Sequence, residues 1–305
     1  MNVLITGVAG FIGSHVAEAL LERGDKVWGI DNFETGLALN VSADVEFVEG
    51  DITDEFLMDA LLEKAEPDVI VHAAATYRDP DAWHRDLAVN ADATAMIADR
   101  AVAYGAHLVY FQTSLCYGHV GSSASIRVDR PCAPQSSYAI SKTAGESYIH
   151  LSGCDAAIFR LANMYGPRNL SGPVPAFWKQ LTAGKPCMVV DSRRDFVHVS
   201  DLVRLVVRAV DERACGTWHA ATGGDISVEE LYDAVVREGG FERPEKTLVP
   251  RGDDDVATLL LDPTETKKRF GWEAEVSLDE GVWTALQWYE RHGVAETYTH
   301  LKVSD

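Results

Sequence analysis

Tyr138 and Lys142 stand four residues apart in Tyr138-Ala-Ile-Ser-Lys142. On a helix, positions i and i+4 share a face. An ammonium held beside a phenol favours phenolate and lowers the tyrosine pKa toward neutrality. Such a tyrosine can take the proton of an alcohol as hydride leaves the same carbon. Thr113 is a third candidate, because a hydroxyl at the end of a parallel strand faces the crevice where these sheets bind ligands. Near the start of the chain, Gly7, Gly10 and Gly13 are spaced G-x-x-G-x-x-G within Thr6-Gly-Val-Ala-Gly-Phe-Ile-Gly13. They follow an apolar run and open a helical one. That context suits a tight turn that lets backbone amides and a helix N-terminus meet a pyrophosphate. Phe11 and Ile12 share this turn.

The apolar pattern supplies the elements that must position these groups. Val3–Ile5, Lys26–Ile30, Val45–Val48, Asp68–Val71, His107–Phe111 and Ala156–Leu161 read as strands. Ala17–Arg23, Glu55–Lys64, Asp86–Tyr104 and Tyr138–Leu151 read as helices between them. Uninterrupted Val/Ile strands alternating with helices predict an α/β, Rossmann-type, doubly wound parallel sheet. The second strand ends at Asp31, a carboxylate suited to the two hydroxyls of an adenosine ribose and repulsive to a 2′-phosphate. Neither Arg nor Lys follows in Asn32-Phe-Glu-Thr35, so NAD is expected rather than NADP. Asp51 and Ile52 are expected at the adenine. Ala73, Ala74 and Ala75 are small enough for a cofactor to lie against their backbone, and His72 before them is expected to be packed rather than catalytic. The rhythm changes after Gly166-Pro167. The expected division is a cofactor domain over residues 1–165, rejoined by the chain around 196–222, and a smaller C-terminal α/β substrate domain over 166–305.

Composition narrows the partners. With 27 Lys plus Arg against 47 Asp plus Glu, the net charge is −20, which argues against nucleic acid and anionic membrane. Cys116, Cys132, Cys154, Cys187 and Cys215 are widely spaced, so reduced thiols and no metal site are expected. The N-terminus lacks a basic region followed by an apolar core, and no apolar run reaches spanning length, which predicts a cytoplasmic location.

Taken together, TGVAGFIGSH, HAAA, TSLCYG, YAISK, RLANMYGPRN and RRDFVHVSD resemble the NAD-dependent epimerase/dehydratase family, the extended short-chain dehydrogenases acting on sugar nucleotides. The resemblance covers nearly the whole chain. FQTSLCYG, SSYAISK and RLANMYGPRNLSGPVPAF are similar to bacterial epimerases acting on UDP-sugars, uronic acids among them. The resemblance implies that Thr113, Tyr138 and Lys142 are catalytic, with Ser114 as a second hydroxyl toward substrate. Asn32 and Asn90 would join the cofactor contacts. Asn163 and Arg194 would hold the diphosphate, Val174 and Phe177 would line the substrate site, and Arg251 with Asp254 would match a late Arg–acid pair. Family dehydratases carry Asp-Glu directly after the catalytic threonine, and decarboxylases carry a glutamate two residues after it. Here Ser114 and Leu115 stand in those places.

The expected activity is therefore 4-epimerisation of a nucleotide sugar through a transient 4-keto sugar. A 4-ketoreductase or dehydrogenase and a non-catalytic NAD-binding protein are the rivals. Arg193 and Arg168 lie near the expected cleft in sequence, and a spare guanidinium there would recognise a uronic acid. Family members commonly pair flank helices, so a homodimer through Asp86–Tyr104 and Tyr138–Leu151 is expected.

Overall fold

The computed structural model describes residues 1–120, 125–242, 245–250 and 258–298. Strands β1 (Asn2–Thr6), β2 (Lys26–Asp31) and β3 (Glu46–Glu49) are separated by helix α1 (Phe11–Glu22) and a long connection. Helix α2 (Glu55–Ala65) leads to β4 (Val69–His72). A short helix α3 (Trp83–Asp86), a π-helical turn Leu87–Asp92 and α4 (Ala93–Tyr104) lead to β5 (His107–Thr113). Then come α5 (Ser137–Ser152), β6 (Ala156–Leu161) and β7 (Asn163–Tyr165). The later elements are α6 (Pro173–Thr182), β8 (Cys187–Val190), β9 (Arg193–Arg194), β10 (Phe196–His198), α7 (Val199–Asp211) and β11 (Gly216–Ala220). The chain continues through β12 (Ile226–Ser227), α8 (Val228–Glu238), β13 (Lys246–Val249), β14 (Thr258–Leu259), α9 (Thr264–Phe270) and α10 (Leu278–His292).

Seven strands form one parallel sheet in the order β11-β6-β5-β4-β1-β2-β3. The chain runs outward from β1 to β3 and returns to β4 on the other side of β1. Thr6 consequently pairs in register with Ile30 on one side and His72 on the other. This reversal leaves a crevice at the carboxyl ends of β1 and β4, where ligands bind in such sheets. The expected fold class holds, with β11 as a seventh strand contributed by the later part of the chain.

Apolar side chains cover both faces. One face packs α1 and α7 through Val16, Leu20, Leu202, Leu205 and Val206. In α7 the buried Leu202, Leu205, Val206, Ala209 and Val210 follow the i, i+3, i+4, i+7, i+8 stripe of a core-facing helix. The other face packs α2, α4 and α5 through Met58, Leu62, Ile97 and Ile149. A separate cluster joins α6, α8 and α10 around Phe177, Leu231, Val235, Val282 and Leu286.

Two helices depart from expectation. The first begins at Phe11 rather than Ala17, because its N-cap is Gly10, which carries no capping side chain to announce a start. The expected single helix Asp86–Tyr104 is broken by the π-helical turn. There the buried Asn90 amide both accepts from Thr76 N at 3.0 Å and donates to Thr76 O at 2.9 Å, pinning the preceding loop to the helix.

Candidate active site

Two adjoining cavities occupy the crevice. The first, a groove, is lined by Gly7, Gly10, Phe11, Ile12, Gly13, Asp31, Asn32, Asp51, Ile52 and Ala73 to Ala75. Gly7 adopts φ +71°, and a Cβ there would come within 2.6 Å of Ala74 N. A Cβ on Gly13 would come within 2.1 Å of Gly7 O. Only glycine lets the turn, the helix and the next strand approach this closely. No side chain caps α1, so its first-turn N–H groups are left for an anion. Asp31 is 8% exposed and accepts hydrogen bonds from Ala9 N at 2.9 Å and Phe33 N at 2.8 Å. Burial raises its carboxyl above the usual range, and the backbone donors partly oppose that shift. A glycine cradle, an uncapped helix start and a strand-end carboxylate together fit a dinucleotide with a free ribose diol.

The second cavity, about 380 Å³, opens from the same wall and reaches into the later half of the chain. Thr113, Ser114, Tyr138, Lys142, Asn163, Val174 and Arg194 all line it. The ring of Tyr77 meets that of Tyr138 edge-on at 6.1 Å. Lys142 Nζ lies 4.0 Å from the centre of the Tyr110 ring, and Tyr110 OH donates to Lys142 O at 3.0 Å. Burial lowers the Lys142 ammonium to about 7, and Glu146 one turn further along α5 opposes that shift. The expected lowering of Tyr138 is not seen. Burial dominates and holds the phenol above its ordinary value, with Tyr77 and Asp86 adding to the rise. His72 is packed as expected, bonded to Thr6 Oγ1 at 2.7 Å and Thr94 Oγ1 at 2.9 Å, and burial lowers it to about 3.

Beneath these groups lies a buried polar network that the sequence did not announce. Glu146 accepts from Arg160 Nη2 at 2.6 Å and Nε at 3.2 Å, and from Gln112 Nε2 at 2.9 Å. Gln112 Oε1 accepts from Thr113 N at 2.8 Å. Arg160 also donates to Tyr117 OH at 2.7 Å, and Tyr117 OH meets His219 Nε2 at 2.6 Å. The end of β5 that carries Thr113 is thus tied to the helix that carries Tyr138 and Lys142. Spacing alone held one signal: Glu146 continues the i, i+4 row of Tyr138 and Lys142.

Several nominated residues stand elsewhere. Asn90 is fully buried, bonded to Thr76 and to Ser141 Oγ, and lines neither cavity, so it supports the crevice wall rather than contacting the cofactor. Phe177 packs in the α6–α8–α10 cluster against Tyr232. Arg168 turns to α1 and pairs with Glu18. Arg193 lies on the surface, paired with Asp225 at 2.7 Å and Glu230 at 3.5 Å. The reason is the alternation of β9, which sends consecutive arginines to opposite sides and leaves Arg194 facing the cavity. Arg251 and Asp254 lie outside the described residues. Among the described residues lining the groove, the unforeseen charged members are Glu34 and Arg85.

Residues 3–219 match the NAD dependent epimerase/dehydratase family, and the chain belongs to it. A UDP-glucose 4-epimerase of Mycolicibacterium smegmatis is 33% identical, the match covering 95% of this chain and 98% of the relative. The Bordetella bronchiseptica enzyme WbmH, solved with NAD+, aligns at 46% identity with a TM-score of 0.93, over 96% of this chain and 99% of its own. WbmG of the same organism, solved with NAD and UDP, aligns at 37% identity with a TM-score of 0.91, over 100% of this chain and 99% of its own. Relatives named as a decarboxylase and a 4,6-dehydratase also occur. NAD is the cofactor of this family, and the groove described above fits it.

Proposed function

We propose that this chain is a UDP-sugar 4-epimerase. One observation carries the choice within the family: among the described residues, the substrate cavity is lined by no Asp or Glu. Elimination of water, or proton handling at carbon 5, needs an acid or base there in addition to the tyrosine. Epimerisation needs one proton shuttle at the carbon 4 oxygen and nothing more. NAD supplies reversible hydride exchange at carbon 4, held by the glycine turn and Asp31. Tyr138 takes the hydroxyl proton and later returns it. Thr113 hydrogen-bonds the same oxygen. Lys142 lines the same cavity beside them, its ammonium lowered by burial to about 7, and Asn163 with Arg194 keeps the diphosphate anchored while the keto sugar turns over.

The test is to incubate the purified protein, with no added NAD, with UDP-glucose, UDP-glucuronate and their N-acetylated counterparts, and to read the products by NMR. Appearance of the carbon 4 epimer without net redox change supports the proposal. A 4-keto-6-deoxy or decarboxylated product overturns it. Turnover only with added reduced cofactor would return the ketoreductase reading, and bound NAD with no turnover the non-catalytic one. The case for a uronic acid through Arg193 or Arg168 has lost its footing, since both are engaged elsewhere. A preference for uronates would mean that neutral donors such as Ser171 and Ser192 hold the carboxylate.

A homodimer belongs to the same proposal. Ile140, Tyr148 and Leu151 on α5 are 50%, 47% and 80% exposed, a cluster of apolar surface on the sheet's flank. Light scattering should give twice the chain mass, and Leu151→Arg should lower it. A monomer in the unaltered protein counts against pairing. Among the described residues no helix is long and apolar enough to cross a membrane, and a cytoplasmic setting fits the acidic charge.

A further inference from the structure

Arg85 comes from α3, far in sequence from the loops it reaches. Its Nη2 donates to Asp51 Oδ2 at 2.6 Å, on the connection after β3, and to Glu34 Oε2 at 2.9 Å, on the connection after β2. Asn32 joins the two acceptors. Its Oδ1 accepts from Glu34 N at 3.0 Å and its Nδ2 donates to Asp51 Oδ2 at 2.9 Å. Asp51 Oδ1 takes Thr53 N at 2.9 Å and Thr53 Oγ1 at 2.7 Å. All but Thr53 line the same groove as Gly7, Gly13 and Asp31.

Depth separates the carboxylates of this groove. Asp31 is almost fully buried, whereas the side chains of Arg85, Glu34 and Asp51 are 33%, 36% and 30% exposed. Asp31 is the floor, and the Arg85 bridge lies at the mouth. Burial favours a protonated Asp51, but Arg85, Thr53 and Asn32 outweigh it and hold the carboxyl well below its usual range. The bridge therefore persists across physiological pH. As a stabiliser an exposed ion pair of this kind is worth little. As a barrier it is different, because it links the β2–β3 side of the groove to the α3 side.

We propose that Arg85 is a latch across the adenosine end of the cofactor groove, and that its bridge to Asp51 and Glu34 slows release of NAD. An enzyme that returns its hydride to the same sugar gains from a cofactor that stays through many turnovers. That purpose rests on the epimerase reading, whereas the latch itself concerns NAD alone. No group beyond NAD and these side chains is required.

The experiment measures NAD release with no sugar present. Protein loaded with NAD is freed of excess cofactor and diluted, and retained nucleotide is followed over time. Arg85→Ala should release NAD about tenfold faster than the unaltered protein, because interface changes act mainly through the dissociation rate. Glu34→Gln, which removes one arm, should fall between. Arg85→Lys keeps the charge without the fork and should not restore full retention. Circular dichroism and melting temperature report whether each variant is folded. Unchanged release from a folded Arg85→Ala overturns the proposal, as does a lower melting temperature with unchanged release, which would make Arg85 a loop brace. Because no sugar is involved, failure here leaves the epimerase assignment standing, and failure of that assignment leaves the latch testable.

Discussion

The cofactor groove and the substrate cavity share a wall, formed by Phe11, Ile12, Ala73, Ala75 and Tyr77, yet they are built in different ways. Among the described residues, those lining the groove run from Gly7 to Val89, all before Asn90. Its working parts are largely backbone: a glycine turn, an uncapped helix start and one strand-end carboxylate. The cavity is assembled from Phe11 through Leu259, and side chains do its work. Recognition of a constant ligand can thus be written in a short local motif. Recognition of a variable sugar is spread over loops whose meeting depends on the whole fold.

The sharpest test of the shared wall is Tyr138→Phe. It keeps the ring that packs on Tyr77 and removes the proton shuttle. Turnover should fall about a hundred- to ten-thousandfold, the usual worth of a positioned acid–base group. NAD and UDP should still bind, as calorimetry would show. Retained turnover would shift the shuttle to Thr113 or Ser114.

Next is the buried pair beneath both halves. Glu146→Ala strips Arg160 of its two charged contacts inside the protein. Leaving one partner of a buried pair alone typically costs about 3–5 kcal/mol. Urea unfolding should show that loss, and a change below about 1 kcal/mol would mean that water replaces the carboxylate. Removing a buried charge without stranding its partner has the opposite sign. The Lys142 ammonium is lowered to about 7 in the folded chain and stands near 10.4 when unfolded. Between those values the unfolded chain holds the proton and the folded chain does not. Stability of the NAD-free protein therefore rises with pH from about 7 upward, by roughly 1 kcal/mol per unit, and levels off below 7. Lys142→Met should flatten that slope between neutral pH and pH 9, as melting temperatures measured across the range would show. An unchanged slope would assign it to another group.

A smaller effect separates backbone from side chain inside the groove. Asp31→Asn keeps the shape and one acceptor oxygen, turns the other into an amide donor facing a backbone N–H, and removes the charge that repels a 2′-phosphate. The preference for NAD over NADP should drop by about tenfold, roughly the worth of one charge at an effective ε of 20, reduced by solvent reaching the 2′-phosphate. Equal ratios of dissociation constants before and after would mean that Glu34 alone excludes the phosphate.

What could be read in the sequence follows the same division. The strands β1, β2, β4, β5 and β6 were legible because parallel strands buried on both faces read as near-continuous apolar runs rather than alternating ones. Gly7, Gly13 and Asp31 were legible because their chemistry depends on position next to a strand end. The start of α1 was missed because a helix built to be capped by a ligand has no cap in its sequence. Arg85 and Arg160 were missed for another reason. Each meets its partners only after distant strands are set side by side, and no local period marks an arginine that will end against Asp51 or Glu146. Arg168 and Arg193 erred in the opposite direction, since nearness in sequence to Asn163 or Arg194 says nothing of which way a side chain leaves its backbone.

Arg193 gives the finest test of that last point. The guanidinium is bound at Nε to Asp225 Oδ1 and at Nη2 to Asp225 O at 2.8 Å. Its further partner, Glu230, is already engaged in capping α8, accepting from Ser227 N at 2.7 Å and Ser227 Oγ at 2.8 Å. Both carboxylates thus have other work or water nearby, and the Arg193 side chain is 43% exposed. Arg193→Gln should change stability by less than about 1 kcal/mol and kcat/KM by less than about twofold for every UDP-sugar tested, as expected for an exposed pair. Arg194→Gln, one residue on and facing the cavity, should weaken UDP-sugar binding far more, because a guanidinium that meets a diphosphate does so through paired hydrogen bonds. The contrast between adjacent arginines would show the alternation of β9 acting on substrate. A selective fall in kcat/KM for UDP-glucuronate in Arg193→Gln, with UDP-glucose unaffected, would instead bring Arg193 into the site and restore the uronic acid as its ligand.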